Sequence, residues 1–152
     1  MATMAAGLAA AIDQRCLIVL DAYFAVGPVF DILKQVLGAN GQRMVHIVTR
    51  AKSNVVGFDD PPKKTGLRGR PRIYGAKHHL MTLFETKADA FEKAAIELYG
   101  KCKSVSFLCM YLIWKPVGEK IRFLLVVDGS ERFILMCSDL TLSAPDIIRD
   151  YS

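Results

Sequence analysis

The chain of 152 residues has only four cysteines, and no two of them stand as Cys-x-x-Cys. Neither a zinc site nor a dithiol redox motif is therefore indicated. Cys16, Cys102, Cys109 and Cys137 all lie in apolar, strand-like runs, where a thiol acts as a small buried hydrophobe. His78 and His79 are adjacent, so on a strand they point to opposite faces, and no third metal ligand is near them. No apolar run approaches the length of a membrane span. The alanine-rich start, Met1 to Ala11, lacks the basic n-region of a signal peptide, and Asp13 and Arg15 follow at once. It reads as an amphipathic or buried helix over 3–14, and a cytoplasmic location follows by default. There is no internal repeat.

What is present is a globular composition, 52% hydrophobic, long enough for one domain with a real core. Cys16-Leu17-Ile18-Val19-Leu20 is a run of five apolar residues rich in branched side chains. Such a run predicts a strand buried on both faces, the kind found in helix-covered parallel sheets. It stops at Asp21. Gly27-Pro28 then opens a helical pattern of Val29, Phe30, Leu33, Val36 and Leu37, giving a helix over 28–38 that ends at Gly38-Ala39-Asn40-Gly41. Arg43–Arg50 is the next strand, and a strand–helix–strand unit of this size predicts a parallel pair. Asp21 thus stands at the carboxyl edge of a sheet, where ligands and metals collect in open α/β folds. An Asp there also serves simply as a cap for the following helix.

The middle of the chain differs in kind. Residues 57–79 break regular structure repeatedly and read as an extended loop. A short strand over 80–84 and a helix over 86–99 follow, the helix inferred from Ala88, Phe91, Ala94, Ala95 and Leu98. The last third predicts antiparallel strands over 104–114, 120–127 and 132–140, with turns at 115–119 and at Asp128-Gly129. Ser143-Ala144-Pro145-Asp146 has the composition of a helix start, and Ile147 and Tyr151 share a face of that helix.

Net charge is +5, but it is unevenly spread. Between 43 and 77 nine basic residues face only Asp59 and Asp60, a net of +7, so the rest of the chain carries −2. A concentrated positive segment on a slightly acidic body points to a polyanion. Its centre is Arg68-Gly69-Arg70-Pro71-Arg72. Glycine lets the backbone approach closely and proline keeps it extended, so the two arginines can enter a narrow minor groove. Arg50, Lys52, Lys63, Lys64 and Lys77 would contact phosphate. A solvated loop with no specific ligand is the alternative reading.

Four stretches, in order, resemble bacterial insertion-sequence transposases of the DDE class. They are Val19-Leu20-Asp21-Ala22-Tyr23-Phe24-Ala25, Val48-Thr49-Arg50-Ala51-Lys52-Ser53-Asn54-Val55, Arg68-Gly69-Arg70-Pro71-Arg72-Ile73-Tyr74-Gly75, and Phe133–Leu142. The resemblance implies an α/β fold: part of an RNase H-like core, strand–helix–strand, carrying a mostly antiparallel β insertion. Residues 1–56 would be the fourth core strand and its helix. Residues 57–127 would be the insertion with its basic loop, and 128–152 the return to the core through the fifth strand and the start of the last helix. It also implies Mg²⁺-dependent DNA cleavage and strand transfer, transposon ends as the partner, and Asp21 as the second catalytic acid and a metal ligand.

Hard Mg²⁺ prefers oxygen ligands, and a two-ion site takes acids from several elements. In the family's pattern the first acid lies on a strand upstream of Met1, and the third lies in a Tyr-x-x-Arg-x-x-x-Glu signature of which Tyr151 fits the first position. The expectation is therefore an internal piece of a transposase, inactive alone. With its core partner missing, Cys16–Leu20 would form an apolar edge prone to self-association. A haloacid-dehalogenase-like phosphohydrolase would need an Asp where Tyr23 stands. A DNA-binding module without catalysis, working through the Arg-Gly-Arg-Pro loop, is the alternative function.

Overall fold

The computed structural model describes Gly7 and residues 14–63, 71–98 and 100–152. The predicted helix over 3–14 falls almost wholly outside them. Strand β1 (Cys16–Leu20) leads through a 3-10 turn, Ala22–Phe24, into helix α1 (Gly27–Lys34). Strand β2 (Val45–Arg50) then pairs with β1 in parallel, Cys16 opposite Val45 and Leu20 opposite Thr49, as the strand–helix–strand spacing requires. Next come β3 (Val56–Phe58), β4 (Lys77–His79) and a 3-10 turn, Leu80–Thr82. Helix α2 (Leu83–Thr86) and a further 3-10 turn (Ala88–Ala90) lead to β5 (Glu92–Leu98). The chain closes with β6 (Lys101–Trp114), β7 (Glu119–Asp128), β8 (Glu131–Cys137) and helix α3 (Ala144–Tyr151).

All eight strands join one mixed, mostly antiparallel sheet in the order β1-β2-β8-β7-β6-β3-β4, with β5 paired to β6 off that path. Alternation along the central strands makes two cores. Ile121, Phe123 and Leu125 of β7, with Ile134 and Met136 of β8, face α1, whose Phe30 and Leu33 are fully buried. Leu124 and Val126, with Leu135 and Cys137, face α3 through Ala144, Ile147 and Ile148. Burying each large apolar side chain contributes about 1.5–3 kcal/mol, so a strand apolar on both faces belongs at the centre. The turns follow their glycines: Gly118 and Gly129 adopt φ of 70° and 60° between β6, β7 and β8. Ser143 accepts a hydrogen bond from the Asp146 amide and caps α3 as its sequence predicts.

Several elements differ from expectation. The helix expected over 86–99 is instead largely β5, paired with β6 residue for residue from Glu92–Phe107 to Leu98–Lys101. Its Ala, Glu and Lys favour helix intrinsically, but half-buried Ala94 and buried Ile96 alternate with exposed Lys93, Ala95 and Glu97. Cross-strand pairing prevails over propensity. The strand expected over 80–84 is a 3-10 turn and the start of α2, because buried Leu80, Leu83 and Phe84 keep helical spacing. Helix α1 stops at Lys34 rather than 38. Beyond it the Val36 carbonyl accepts from the Met44 amide, and Leu37 bridges Arg43 in a small antiparallel ladder.

Strand β8, expected as the fifth core strand, lies antiparallel beside β2, so the parallel neighbour of β1 is β2. The strands of 57–127 continue this same sheet. Of the cysteines expected to be buried, Cys137 is buried, Cys16 and Cys109 are half-buried and Cys102 is exposed. No helix among the described residues is long and apolar enough to cross a membrane.

Candidate nucleic-acid interface

Asp21 directly follows the last residue of β1 and is exposed. Its side chain caps no helix: no side-chain hydrogen bond closes the 3-10 turn that it precedes. Among the described residues it makes no ion pair either. Its backbone is fixed instead, since the fully buried Thr49 donates its hydroxyl to the Asp21 carbonyl at 2.8 Å. Arg50, the next residue on β2, lies over the Phe133 ring at 5.2 Å. Tyr151, at the end of α3, closes the group. Burial raises its phenol above the ordinary tyrosine range, the Asp21 carboxylate adds to that rise, and Arg50 opposes it. Arg50 thus follows the strand partner of Leu20 at the carboxyl ends of two parallel strands, and the charges of Asp21 and Arg50 both reach the Tyr151 phenol at the end of α3.

The basic loop is carried on a stem. β3 and β4 pair antiparallel, Val56 with His79 and Phe58 with Lys77. The ladder runs one step further, the Asp59 amide bonding Ala76 O and the Gly75 amide bonding Asp59 O, both at 2.9 Å. Phe58 and Tyr74 stack across the stem with ring centres 5.1 Å apart. Gly75 is obligatory there, because a Cβ would lie 2.4 Å from the Asp60 carbonyl oxygen. His78 and His79 face opposite ways, as expected, and His78 meets Asp59 at 2.9 Å. Lys63, Pro71 and Arg72 are exposed above the stem, while Lys64, Arg68, Gly69 and Arg70 lie outside the described residues.

β1 and β4 end the strand order on opposite sides, yet Ala25 beyond β1 and Lys77 of β4 line one cavity. Ala25, Lys52 and Lys77 border a hollow of about 380 Å³, together with Trp114 and Lys115. Lys52 and Lys77 are residues whose charge alone suggested phosphate contact. Lys115 and Asn54, also on this cavity, carry no such signal in the sequence. Lys115 reads there as part of a hairpin turn, and only the three-dimensional return of that turn to β3 reveals it.

The other acids behave differently. Asp139 is 3% exposed and ion-pairs with Arg15. Burial works against its charge, but hydrogen bonds from the Thr141 hydroxyl and amide, at 2.7 and 2.8 Å, hold its carboxyl below the ordinary aspartate range. Beside it His46 is buried, its Nδ1 without a partner among the described residues, and burial lowers its pKa. Cys137, next to these, is pushed up to about 11 by burial. This group knits the start of β2 to the end of β8, away from Asp21. Asp146 is held by Ser143 and Arg149 on the first turn of α3.

A Mg²⁺ pair needs several carboxylates on one spot. Among the described residues no three of His, Cys, Asp or Glu are placed so that they could hold a metal ion, and Asp21 by itself does not make such a site. No family model, curated protein or solved structure matches the chain.

Proposed function

We propose that this chain is a portion of a DDE-class DNA transposase, with Asp21 contributing one acid to a site that other carboxylates complete. On this reading the family chemistry is Mg²⁺-dependent cutting and joining of DNA during transposition, the partner is the transposon end, and the place of action is the bacterial nucleoid. One observation carries it: Asp21 stands exposed and without an ion pair among the described residues at the tip of β1, beside the end of β2 that carries Arg50, and its charge is felt at Tyr151 of α3. A carboxylate that merely stabilised the fold would have a partner, as Asp139 does.

Since the described residues supply a single acid here, the purified chain with Mg²⁺ is expected to leave DNA uncut. The coding sequence around the gene tests the ancestry. It should hold the first acid upstream and an Arg…Glu continuation after Tyr151 downstream, in frame or out of it. Unrelated sequence on both sides would defeat the reading.

DNA binding is tested separately. Binding that is mainly electrostatic gives a log K that falls with log salt by about 0.9 per phosphate neutralised. A flat response would remove the phosphate contacts assigned to Lys52, Lys63, Lys77 and Arg72. A non-catalytic DNA-binding module is the second reading. The lysine-lined hollow favours it, because that hollow works as well without Asp21.

A further inference from the structure

We propose that the 380 Å³ hollow between the β3–β4 stem and the β6–β7 turn is a binding site for one nucleoside phosphate. Its chemistry is two-sided. Lys52, Lys77 and Lys115 come from three distant parts of the chain, are all exposed and have no ion-pair partner among the described residues. No carboxylate of the described residues lines the hollow. Three like charges around a low-dielectric wall focus a positive field into it, so the occupant is an anion.

The apolar side of the lining is the half-buried Phe58, with Val55 and Trp114 largely buried behind it. The fully buried Phe30 meets Trp114 edge-on with ring centres 5.1 Å apart and backs the indole from the core. A bare anion gains nothing from such a lining, whereas a base or sugar gains about 25 cal/mol for each Å² it buries there. Asn54 at the margin offers both a donor and an acceptor to a base edge. The volume lies at the lower end of the range for small-ligand pockets, which suits one nucleotide inside the hollow. The proposal goes beyond DNA cutting, because a free nucleotide and the last nucleotide of a strand present the same chemistry.

Trp114 is the sole tryptophan of the chain, so its emission reports on the apolar side of the hollow. The full chain is titrated with deoxyadenosine monophosphate, with inorganic phosphate, with deoxyadenosine and with a 5′-phosphorylated single-stranded octanucleotide. Deoxyadenosine monophosphate should give a saturable change, with phosphate and deoxyadenosine each at least about tenfold weaker. Lys77→Ala and Lys115→Ala, both at exposed positions, should each weaken it about tenfold, the effect of losing one charged hydrogen bond. An octanucleotide that binds tighter than the mononucleotide, and loses affinity in the same variants, assigns the site to strand ends; the reverse order assigns it to free nucleotide.

The proposal is overturned if neither ligand gives a saturable change or heat, if phosphate alone binds as tightly, or if both variants bind like the parent. Anisotropy of a labelled blunt duplex separates this from the DNA reading. Salt-dependent duplex binding without nucleotide binding sinks only the nucleotide site. Nucleotide binding without any duplex binding sinks only the DNA interface.

Discussion

Replacing Asp139 tests whether the buried acid is a structural clamp or a displaced member of an acidic site. Its side chain is 5% exposed and takes three hydrogen bonds: the Thr141 amide, the Thr141 hydroxyl and the Arg15 guanidinium. Asp139→Ala removes two hydrogen bonds from Thr141, which is itself exposed so that water takes over its donors, at a cost of about 0.5–1.5 kcal/mol for each bond. Arg15 is half-exposed, so the ion pair itself adds only about 0–1 kcal/mol. The expected loss is therefore about 1–4 kcal/mol, which for a domain of this size lowers Tm by about 2–16 °C. Asp139→Asn keeps one acceptor for Thr141 and should cost roughly half as much.

The same clamp has a pH signature. A carboxyl whose folded pKa is depressed stabilises fully above the unfolded value of about 3.9, and that stability fades as pH falls through the folded value. The gap between parent and Asp139→Ala in urea unfolding should thus be constant from pH 7 to about pH 5 and close in stronger acid. A loss under about 0.5 kcal/mol at pH 7 would refute the clamp, because acids kept for chemistry rather than for the fold can be removed with little loss or even a gain in stability.

Three further outcomes follow from the same structure. His46 is buried with its pKa lowered, so the unfolded chain binds its proton first; stability should fall as pH drops below the unfolded histidine value of about 6.5, and His46→Gln should flatten that slope in urea titrations. Gly75→Ala drives a methyl into the Asp60 carbonyl and should cost about 1–3 kcal/mol, with amide exchange accelerating at Asp59 and Gly75. β1 is the outermost strand with Val19 42% exposed, so Val19→Lys should lower any concentration-dependent association in sedimentation without lowering Tm by more than about 2 °C.

The parts of this fold that can be read in the sequence are those where local pattern and tertiary need agree. The cap at Ser143 and the glycines of the last two hairpins each specify their element through a short-range mechanism; the apolar run 16–20 specifies a strand but not the burial on both faces expected of it, since β1 ends the sheet half-buried with Val19 exposed. Residues 86–99 mislead because an Ala-, Lys- and Glu-rich stretch carries both periods at once, and only its partner β6 chooses between them. The candidate site divides in the same way. Asp21 is visible as a charge ending an apolar strand, and Tyr151 through its place in a signature. The convergence of Lys52, Lys77 and Lys115 is not, since positions 52, 77 and 115 share no local pattern and meet only because β3 turns back onto β6.

The fold sets two aspartates in opposite circumstances at opposite ends of the same strands, and the contrast can be measured. Asp139 is enclosed and fully bonded, whereas Asp21 is exposed, without an ion pair among the described residues, and held by its backbone through Thr49. Asp21→Asn breaks no ion pair among the described residues and should leave stability within about 0.5 kcal/mol of the parent or raise it. It should still be felt at Tyr151, where burial and the Asp21 charge together raise the phenol. Neutralising Asp21 removes the second cause only, so the Tyr151 titration should move part of the way back, read by NMR of ring-labelled tyrosine against Tyr23, which is 81% exposed. A Tyr151 titration that ignores the substitution would mean that α3 does not end beside the tip of β1. The grouping on which the transposase reading rests would then be gone, even with every strand of the sheet in place.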